Sequence, residues 1–119
     1  MNILFCDDNF LMREIIKKIF SIRKEQVEIA VDGQDAFEKI QANPNFFDVL
    51  VTDYMMPRLS GTELIERLRE LNLPLKMVMV TGYSDDLDKG ALHRLRLNGF
   101  LKKPFTADDL LDCMNALGN

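Results

Sequence analysis

Short apolar runs that alternate with amphipathic stretches are the feature of this sequence that most limits its fold. The apolar runs lie at residues 3–6, 49–51, 77–80 and 100–101, and a strand-like alternation places Val27, Ile29 and Val31 between the first two runs. Runs this short and this apolar are typical of strands that are buried on both faces of a parallel sheet. We therefore predict five strands, each followed by a helical stretch.

The stretches between these runs predict five helices, because apolar residues recur in each at helical spacing. The expected inward-facing residues are, in chain order, Leu11, Met12, Ile15, Ile16, Ile19, Phe20, Ala36, Phe37, Ile40, Leu64, Ile65, Leu68, Leu71, Leu87, Ala91, Leu92, Leu95, Leu110, Leu111, Met114 and Leu117. Ser60 and Glu63 form a capping-box pattern at the third helix, and Ser84 and Thr106 are the expected caps of the next two. Gly90, in the middle of the fourth helix, costs about 1 kcal/mol relative to alanine.

Strands that alternate with helices predict an α/β fold in which a parallel sheet is covered on both faces. Right-handed connections then produce a doubly wound, three-layer sandwich. The length of 119 residues suits one domain over 1–119, since no linker-like segment divides the chain. Ligands of such sheets bind at the carboxyl ends of the strands.

Charge and composition narrow the partners that we expect. The net charge is −4, because aspartate and glutamate outnumber lysine and arginine. This balance argues against direct binding to nucleic acid. We find no apolar run near the roughly 20 residues that a membrane-spanning helix needs, and no signal-peptide pattern. Cys6 and Cys113 are expected to be reduced thiols. These observations predict a cytoplasmic protein without a membrane partner.

Polar side chains follow four of the predicted strands directly. Asp7 and Asp8 follow the first strand, while Asp53, Thr81 and Lys103 follow the third, fourth and fifth. Taken singly, each would be read as a turn former, a helix cap or a solvated lysine. Because the carboxyl ends of parallel strands meet at one rim, their joint occurrence predicts a functional site there.

The residue types at this rim indicate phosphoryl-transfer chemistry. Crowded carboxylates resist ionisation unless a cation shares them, and Mg²⁺ prefers such oxygen ligands. Zinc would call for histidine or cysteine ligands, and His93 is the only histidine. A carboxylate such as Asp53 can act as a nucleophile and form an aspartyl-phosphate. Lys103 and Thr81 can contact the phosphoryl oxygens, as a cation and a hydroxyl donor.

With these residues in place, the chain resembles the receiver domain of two-component response regulators. The matching residues are Asp7, Asp8, Asp53 in the run Val-Thr-Asp-Tyr-Met-Met-Pro, Gly61, Thr81, Gly82, Lys103, Pro104 and Phe105. The resemblance extends from about residue 2 to residue 117. It implies a flavodoxin-like (βα)5 sandwich with a sheet of strand order 2-1-3-4-5. It also implies a signalling switch that assists its own phosphorylation and dephosphorylation, rather than an enzyme.

The resemblance assigns roles at the phosphorylation site by position. Asp53 is the implied phosphoacceptor, and its donor is a histidine kinase or a phosphotransfer protein. Asp7 and Asp8 are the implied acidic pair that binds Mg²⁺ together with Asp53. Met55 would add its backbone carbonyl to the metal site, and Lys103 would contact the phosphoryl group.

The resemblance also implies an output. Thr81 is the implied switch hydroxyl and Phe100 the switch aromatic residue, although a phenylalanine on a short strand is equally consistent with a core position. Phosphorylation is expected to alter the face formed by the fourth helix, the fifth strand and the fifth helix. That face would bind a downstream protein or an output domain outside this chain, or form a homodimer on phosphorylation.

Four other interpretations fit the residues less well. A flavin carrier of similar fold needs a phosphate-binding loop rich in small residues, where this chain has Asp7 and Asp8. A dinucleotide-binding enzyme needs a G-x-G-x-x-G motif, which the sequence lacks. A metal-dependent aspartyl phosphatase needs a second aspartate at the position of Met55. A receiver-like interaction module that signals without phosphorylation would not need the complete acidic, hydroxyl and lysine set.

Overall fold

The computed structural model describes residues 1–23, 25–82 and 89–117, and it confirms the predicted alternation of strands and helices. The elements are β1 (Asn2–Cys6), α1 (Phe10–Ile22), β2 (Gln26–Ala30), α2 (Gly33–Ala42), β3 (Val49–Asp53), α3 (Gly61–Glu70), β4 (Lys76–Thr81), α4 (Lys89–Leu95), β5 (Gly99–Lys102) and α5 (Ala107–Ala116). The strands form one parallel sheet in the order β2-β1-β3-β4-β5, as the resemblance implied.

Two hydrophobic cores cover the two faces of the sheet, because successive side chains of a strand point to opposite faces. In β1, Leu4 joins the core beneath α2, α3 and α4, whereas Phe5 joins the core beneath α1 and α5. The central strands are therefore apolar throughout, which explains why their sequences lack the alternation of a half-exposed strand.

Side-chain caps define where several helices begin. Ser60 and Glu63 form the predicted capping box at α3, and Thr106 and Asp109 form a second one at α5. Asn9 caps α1 by accepting a hydrogen bond from the Met12 amide at 3.0 Å. This cap was not anticipated, because Asp8 next to it fits the same sequence pattern.

The predicted inward stripe of α1 is wrong at two positions. Ile16 and Phe20 are buried, but Leu11 and Ile15 are 70% and 52% exposed. The reason is geometric: neighbouring residues of a helix lie about 100° apart, so Leu11 and Ile15 occupy the flank beside the buried stripe. The prediction for Leu71 is wrong as well, since this residue directly follows α3 and is 43% exposed.

Helix α4 is described only from Lys89 onward, so the predicted position of Gly90 in the middle of this helix depends on residues outside the described ranges. The predicted cap Ser84 and the predicted core residue Leu87 fall outside the described residues. At the other end of α4, Leu95 is buried. The Arg69 guanidinium of α3 donates to the Leu95 carbonyl oxygen at 2.9 Å and thereby fastens this end. Within the ranges described, we find no helix with the length and apolarity needed to cross a membrane.

Candidate functional site

The side chains predicted to form a site lie at the carboxyl rim of four adjacent strands, β1, β3, β4 and β5. Asp53 is the last residue of β3 and Thr81 the last residue of β4, while Asp7 directly follows β1 and Lys103 directly follows β5. Strand β3 pairs with β1 on one side and β4 on the other, so the order of strands places these positions side by side.

Three carboxylates cluster at this rim. One ligand oxygen from each of Asp7, Asp8 and Asp53 lies within 4.8 Å of the other two. Asp7 is fully buried, Asp53 is nearly so, and Asp8 is exposed. The cluster is therefore open to solvent on the side of Asp8 and enclosed on the side of Asp7.

Lys103 bridges two of these carboxylates. Its Nζ atom lies 3.2 Å from Asp7 Oδ2 and 3.4 Å from Asp53 Oδ2. Its backbone amide donates to the Thr81 carbonyl oxygen at 2.7 Å, which fixes the segment after β5 against the end of β4. Burial lowers the pKa of Lys103, but the negative charges of Asp7 and Asp53 outweigh it and raise the pKa above its usual value. Lys103 is therefore a fixed positive charge at neutral pH.

Asp53 has the perturbed acidity that is typical of functional carboxyl groups. Burial is the main cause that raises its pKa to about 6, and the neighbouring charge of Asp7 adds to it. Lys103 and the Tyr54 amide, which donates to Asp53 Oδ1 at 3.0 Å, act in the opposite direction. Asp53 is thus ionised in most molecules at neutral pH. The ionised carboxylate is the form that can act as a nucleophile.

Asp7 is held in place by contacts that sequence reasoning did not identify. The Asn9 amide donates to Asp7 Oδ1 at 2.9 Å, and Arg13 Nη1 donates to the Asp7 carbonyl oxygen at 2.9 Å. The signal in the sequence is that Arg13 lies in the first turns of α1, six residues after Asp7. The bond from Asn9 restricts the Asp7 carboxylate, and the bond from Arg13 holds the Asp7 backbone.

The two predicted switch residues differ in environment. Thr81 is 1% exposed, whereas Phe100 on β5 is 42% exposed and is not a core residue. The side chain of Met55, two residues after Asp53, is 59% exposed.

The donor set fits a magnesium ion. The clustered ligand atoms of Asp7, Asp8 and Asp53 are all carboxylate oxygens, and one of the three residues faces solvent. Mg²⁺ prefers oxygen ligands and keeps several of its waters, so it suits an acidic cluster with an open side. Within the described residues, histidine and cysteine contribute nothing to this cluster, which disfavours zinc.

Comparisons with known proteins agree with this geometry. The sequence matches the family described as "response regulator receiver domain" over residues 3–115. It is 34% identical over 117 residues to response regulator MprA of Mycobacterium avium, covering 98% of this chain and 50% of the relative. It is 31% identical over 111 residues to transcriptional regulatory protein DltR of Streptococcus agalactiae, covering 93% of this chain and 49% of the relative. The chain thus spans about half the length of these curated relatives.

Solved structures show the same fold. A response regulator receiver domain protein from Clostridium thermocellum is similar with a TM-score of 0.84 and 30% identity, covering 98% of this chain and 93% of that one. Chemotaxis protein CheY4 of Vibrio cholerae is similar with a TM-score of 0.88 and 26% identity, covering 98% of each chain.

Proposed function

This chain belongs to the response-regulator receiver domain family, and from that premise we propose that it is a cytoplasmic switch in which Asp53 accepts a phosphoryl group. The donor is a histidine kinase or a phosphotransfer protein. An ionised Asp53 oxygen attacks phosphorus as the bond between phosphorus and the donor's imidazole nitrogen breaks. The electron pair of that bond stays on the imidazole nitrogen, and Asp53 becomes a mixed anhydride.

The observation that carries this proposal is the placement of one lysine between two carboxylates. Lys103 Nζ lies 3.2 Å from Asp7 and 3.4 Å from Asp53, at the rim where Asp8 opens the cluster to solvent. A phosphoryl group on Asp53 would bring further negative charge to this position. Lys103 is already charged and held there, so it can contact that charge without being reoriented.

The protein's own carboxylates would hold the metal that this reaction requires. We assign Asp7, Asp8 and Asp53 as side-chain ligands of Mg²⁺, and Met55 as a ligand through its backbone carbonyl. The ion supplies neutralisation of charge on the phosphoryl oxygens. Thr81, buried at the end of β4, is the hydroxyl that we expect to donate to a phosphoryl oxygen.

The metal requirement gives a direct test of the proposal. Incubated with acetyl phosphate and Mg²⁺, the protein is expected to gain the mass of one phosphoryl group, and with EDTA in place of Mg²⁺ it is expected to gain none. Intact-protein mass spectrometry measures both. Absence of labelling with Mg²⁺ would instead favour an interaction module that signals without phosphorylation.

We propose that the output surface is a switch face, defined here as His93, Phe100, Arg96, Asp109 and Asp112. The exposed Phe100 side chain lies between two shallow grooves. One groove is lined by His93 of α4 and by Arg96 just after it, and the other by Lys102 of β5 with Asp109 and Asp112 of α5. Arg96 on one side of Phe100 and the carboxylates of Asp109 and Asp112 on the other are complementary to a second copy of the same face across a twofold axis. The partner favoured by this pattern is a homodimer that forms on phosphorylation.

A charge swap tests the dimer. With beryllofluoride as the phosphoryl mimic, Arg96→Glu or Asp112→Arg alone is expected to weaken dimerisation by about tenfold or more, because like charges then face each other. The double variant is expected to recover dimerisation, as measured by analytical ultracentrifugation. Dimerisation that is equal in all four proteins would exclude this charge pairing, and a monomer throughout would point to a downstream protein or an output domain as the partner.

A further inference from the structure

The loop between β3 and α3 contains a strained turn next to the phosphorylation site. Arg58 has a φ of 68°, which is uncommon for a residue that carries a Cβ atom. The Leu59 amide donates to the Pro57 carbonyl oxygen at 2.8 Å, so the turn spans only three residues. Such conformations persist only where the surroundings enforce them.

An ion pair joins this turn to a distant loop, and the Arg58 side chain that forms it is 58% exposed. Arg58 Nε lies 2.8 Å from Asp32 Oδ2, and Arg58 Nη2 donates to Asp32 Oδ1 at 3.2 Å. This two-pronged geometry restricts the direction of the guanidinium as well as its distance. Asp32 is itself immobilised, because it is nearly buried and caps α2 by accepting from the Asp35 amide at 2.8 Å.

Close packing holds the chain on either side of Arg58. Leu59 is 3% exposed, and a Cβ atom on Gly33 would lie only 2.1 Å from the Leu59 carbonyl oxygen. Met56 is buried with its Sδ atom 3.3 Å from Cys6 Sγ. The Tyr54 amide donates to the Val80 carbonyl oxygen at 2.8 Å. Met55 therefore lies between two anchored neighbours, although its own side chain is exposed.

We propose that Arg58 is a positioning residue for the divalent cation, acting through the backbone of its own loop. The two contacts between its guanidinium and the Asp32 carboxylate hold the turn at 57–59, and the turn fixes the direction of the Met55 carbonyl. This inference rests on the proposed function, in which that carbonyl is a metal ligand. Arg58 contacts neither the metal nor the phosphoryl group, so its effect is on the geometry of the site before either binds.

Calorimetric titration with Mg²⁺ alone, without a phosphodonor, tests the proposal. Arg58→Ala is expected to weaken Mg²⁺ binding by about tenfold, the lower end of the range for residues that orient a metal ligand. Arg58→Lys keeps the charge but loses the two-contact geometry, so its Mg²⁺ affinity should lie between those of Arg58→Ala and wild type. Asp32→Asn keeps the helix cap and loses the ion pair, and should weaken binding as Arg58→Ala does. The double variant should lose no more than either single variant.

A control and a second readout separate this role from a general loss of stability. Arg67 is an exposed arginine of α3 whose guanidinium lies 6.0 Å from the Phe37 ring centre, and Arg67→Ala should leave Mg²⁺ affinity unchanged. In metal-free protein, the Leu59 amide should exchange its hydrogen faster in Arg58→Ala than in wild type. The proposal is overturned if Arg58→Ala lowers only the urea midpoint, or weakens Mg²⁺ binding without affecting the Leu59 amide. A wild type that binds no Mg²⁺ overturns the proposed function together with this inference.

Discussion

Replacing Lys103 with methionine is expected to slow phosphorylation of Asp53 by acetyl phosphate about 100-fold at saturating Mg²⁺, the effect of removing one preorganised charge from a reaction centre. Lys103 Nζ lies 3.4 Å from Asp53 Oδ2, and the lysine is half-buried, so water substitutes poorly for its charge. Methionine preserves much of the length and packing of the side chain. The rate of mass gain at a fixed concentration of acetyl phosphate measures the effect.

The neighbouring lysine provides a matched control. Lys102 is the last residue of β5 and directly precedes Lys103, and its side chain is exposed, so Lys102→Met removes the same charge one position away. This variant is expected to be labelled within about twofold of the wild-type rate, since exposed charges are largely screened. Equal slowing of both variants would mean that net charge, rather than a contact at Asp53, controls the reaction.

Replacing Gly61 with alanine is expected to lower the free energy of unfolding by about 2 kcal/mol or more, within the range observed for overpacking of close-packed sites. A Cβ atom on Gly61 would lie 2.2 Å from the Asp53 carbonyl oxygen and 3.1 Å from Tyr54 Cα. These are backbone atoms, so α3 and the end of β3 must move apart. The Gly61 amide, which donates to the Tyr54 carbonyl oxygen at 2.9 Å, moves with them.

Gly99 provides a comparison for the stability cost of Gly61→Ala. A Cβ atom on Gly99 would lie 3.2 Å from Cys113 Sγ and 3.3 Å from Leu117 Cδ2, which are side-chain atoms that can shift. Gly99→Ala is therefore expected to cost less than Gly61→Ala, as measured by urea unfolding followed by circular dichroism. Equal costs would show that the contact between Gly61 and Asp53 is not a constraint. Because Asp53 moves in the Gly61 variant, its labelling rate should also fall.

The fold and the residues at the rim were predictable because each follows from a local pattern. Buried parallel strands are continuous apolar runs, and a polar residue directly after such a run must lie at the carboxyl end of the sheet. Asp53 and Lys103 could thus be placed at one rim although they lie 50 positions apart in the sequence. Strand order was different, since it came from the resemblance rather than from any pattern along the chain.

Features that depend on contacts between loops were not predictable. The ion pair between Asp32 and Arg58 joins the β2–α2 loop to the β3–α3 loop, and neither residue belongs to a periodic pattern. Helical spacing likewise placed Leu11 with the buried residues of α1, because it specifies a face only to within about one residue, or 100°. How much of a helix faces the sheet depends on the packing of its neighbours.

The measurement that most directly tests the assignment of Asp53 is the intact mass of two aspartate variants after incubation with acetyl phosphate and Mg²⁺. Asp48 precedes β3 by one residue, its side chain is exposed, and it accepts a hydrogen bond from the Asn2 amide at 2.7 Å, so it lies at the opposite end of the strand from Asp53. Asp48→Asn is expected to gain one phosphoryl group as wild type does, and Asp53→Asn is expected to gain none. Labelling of Asp53→Asn at the wild-type rate would contradict the assignment of Asp53 as the phosphoacceptor.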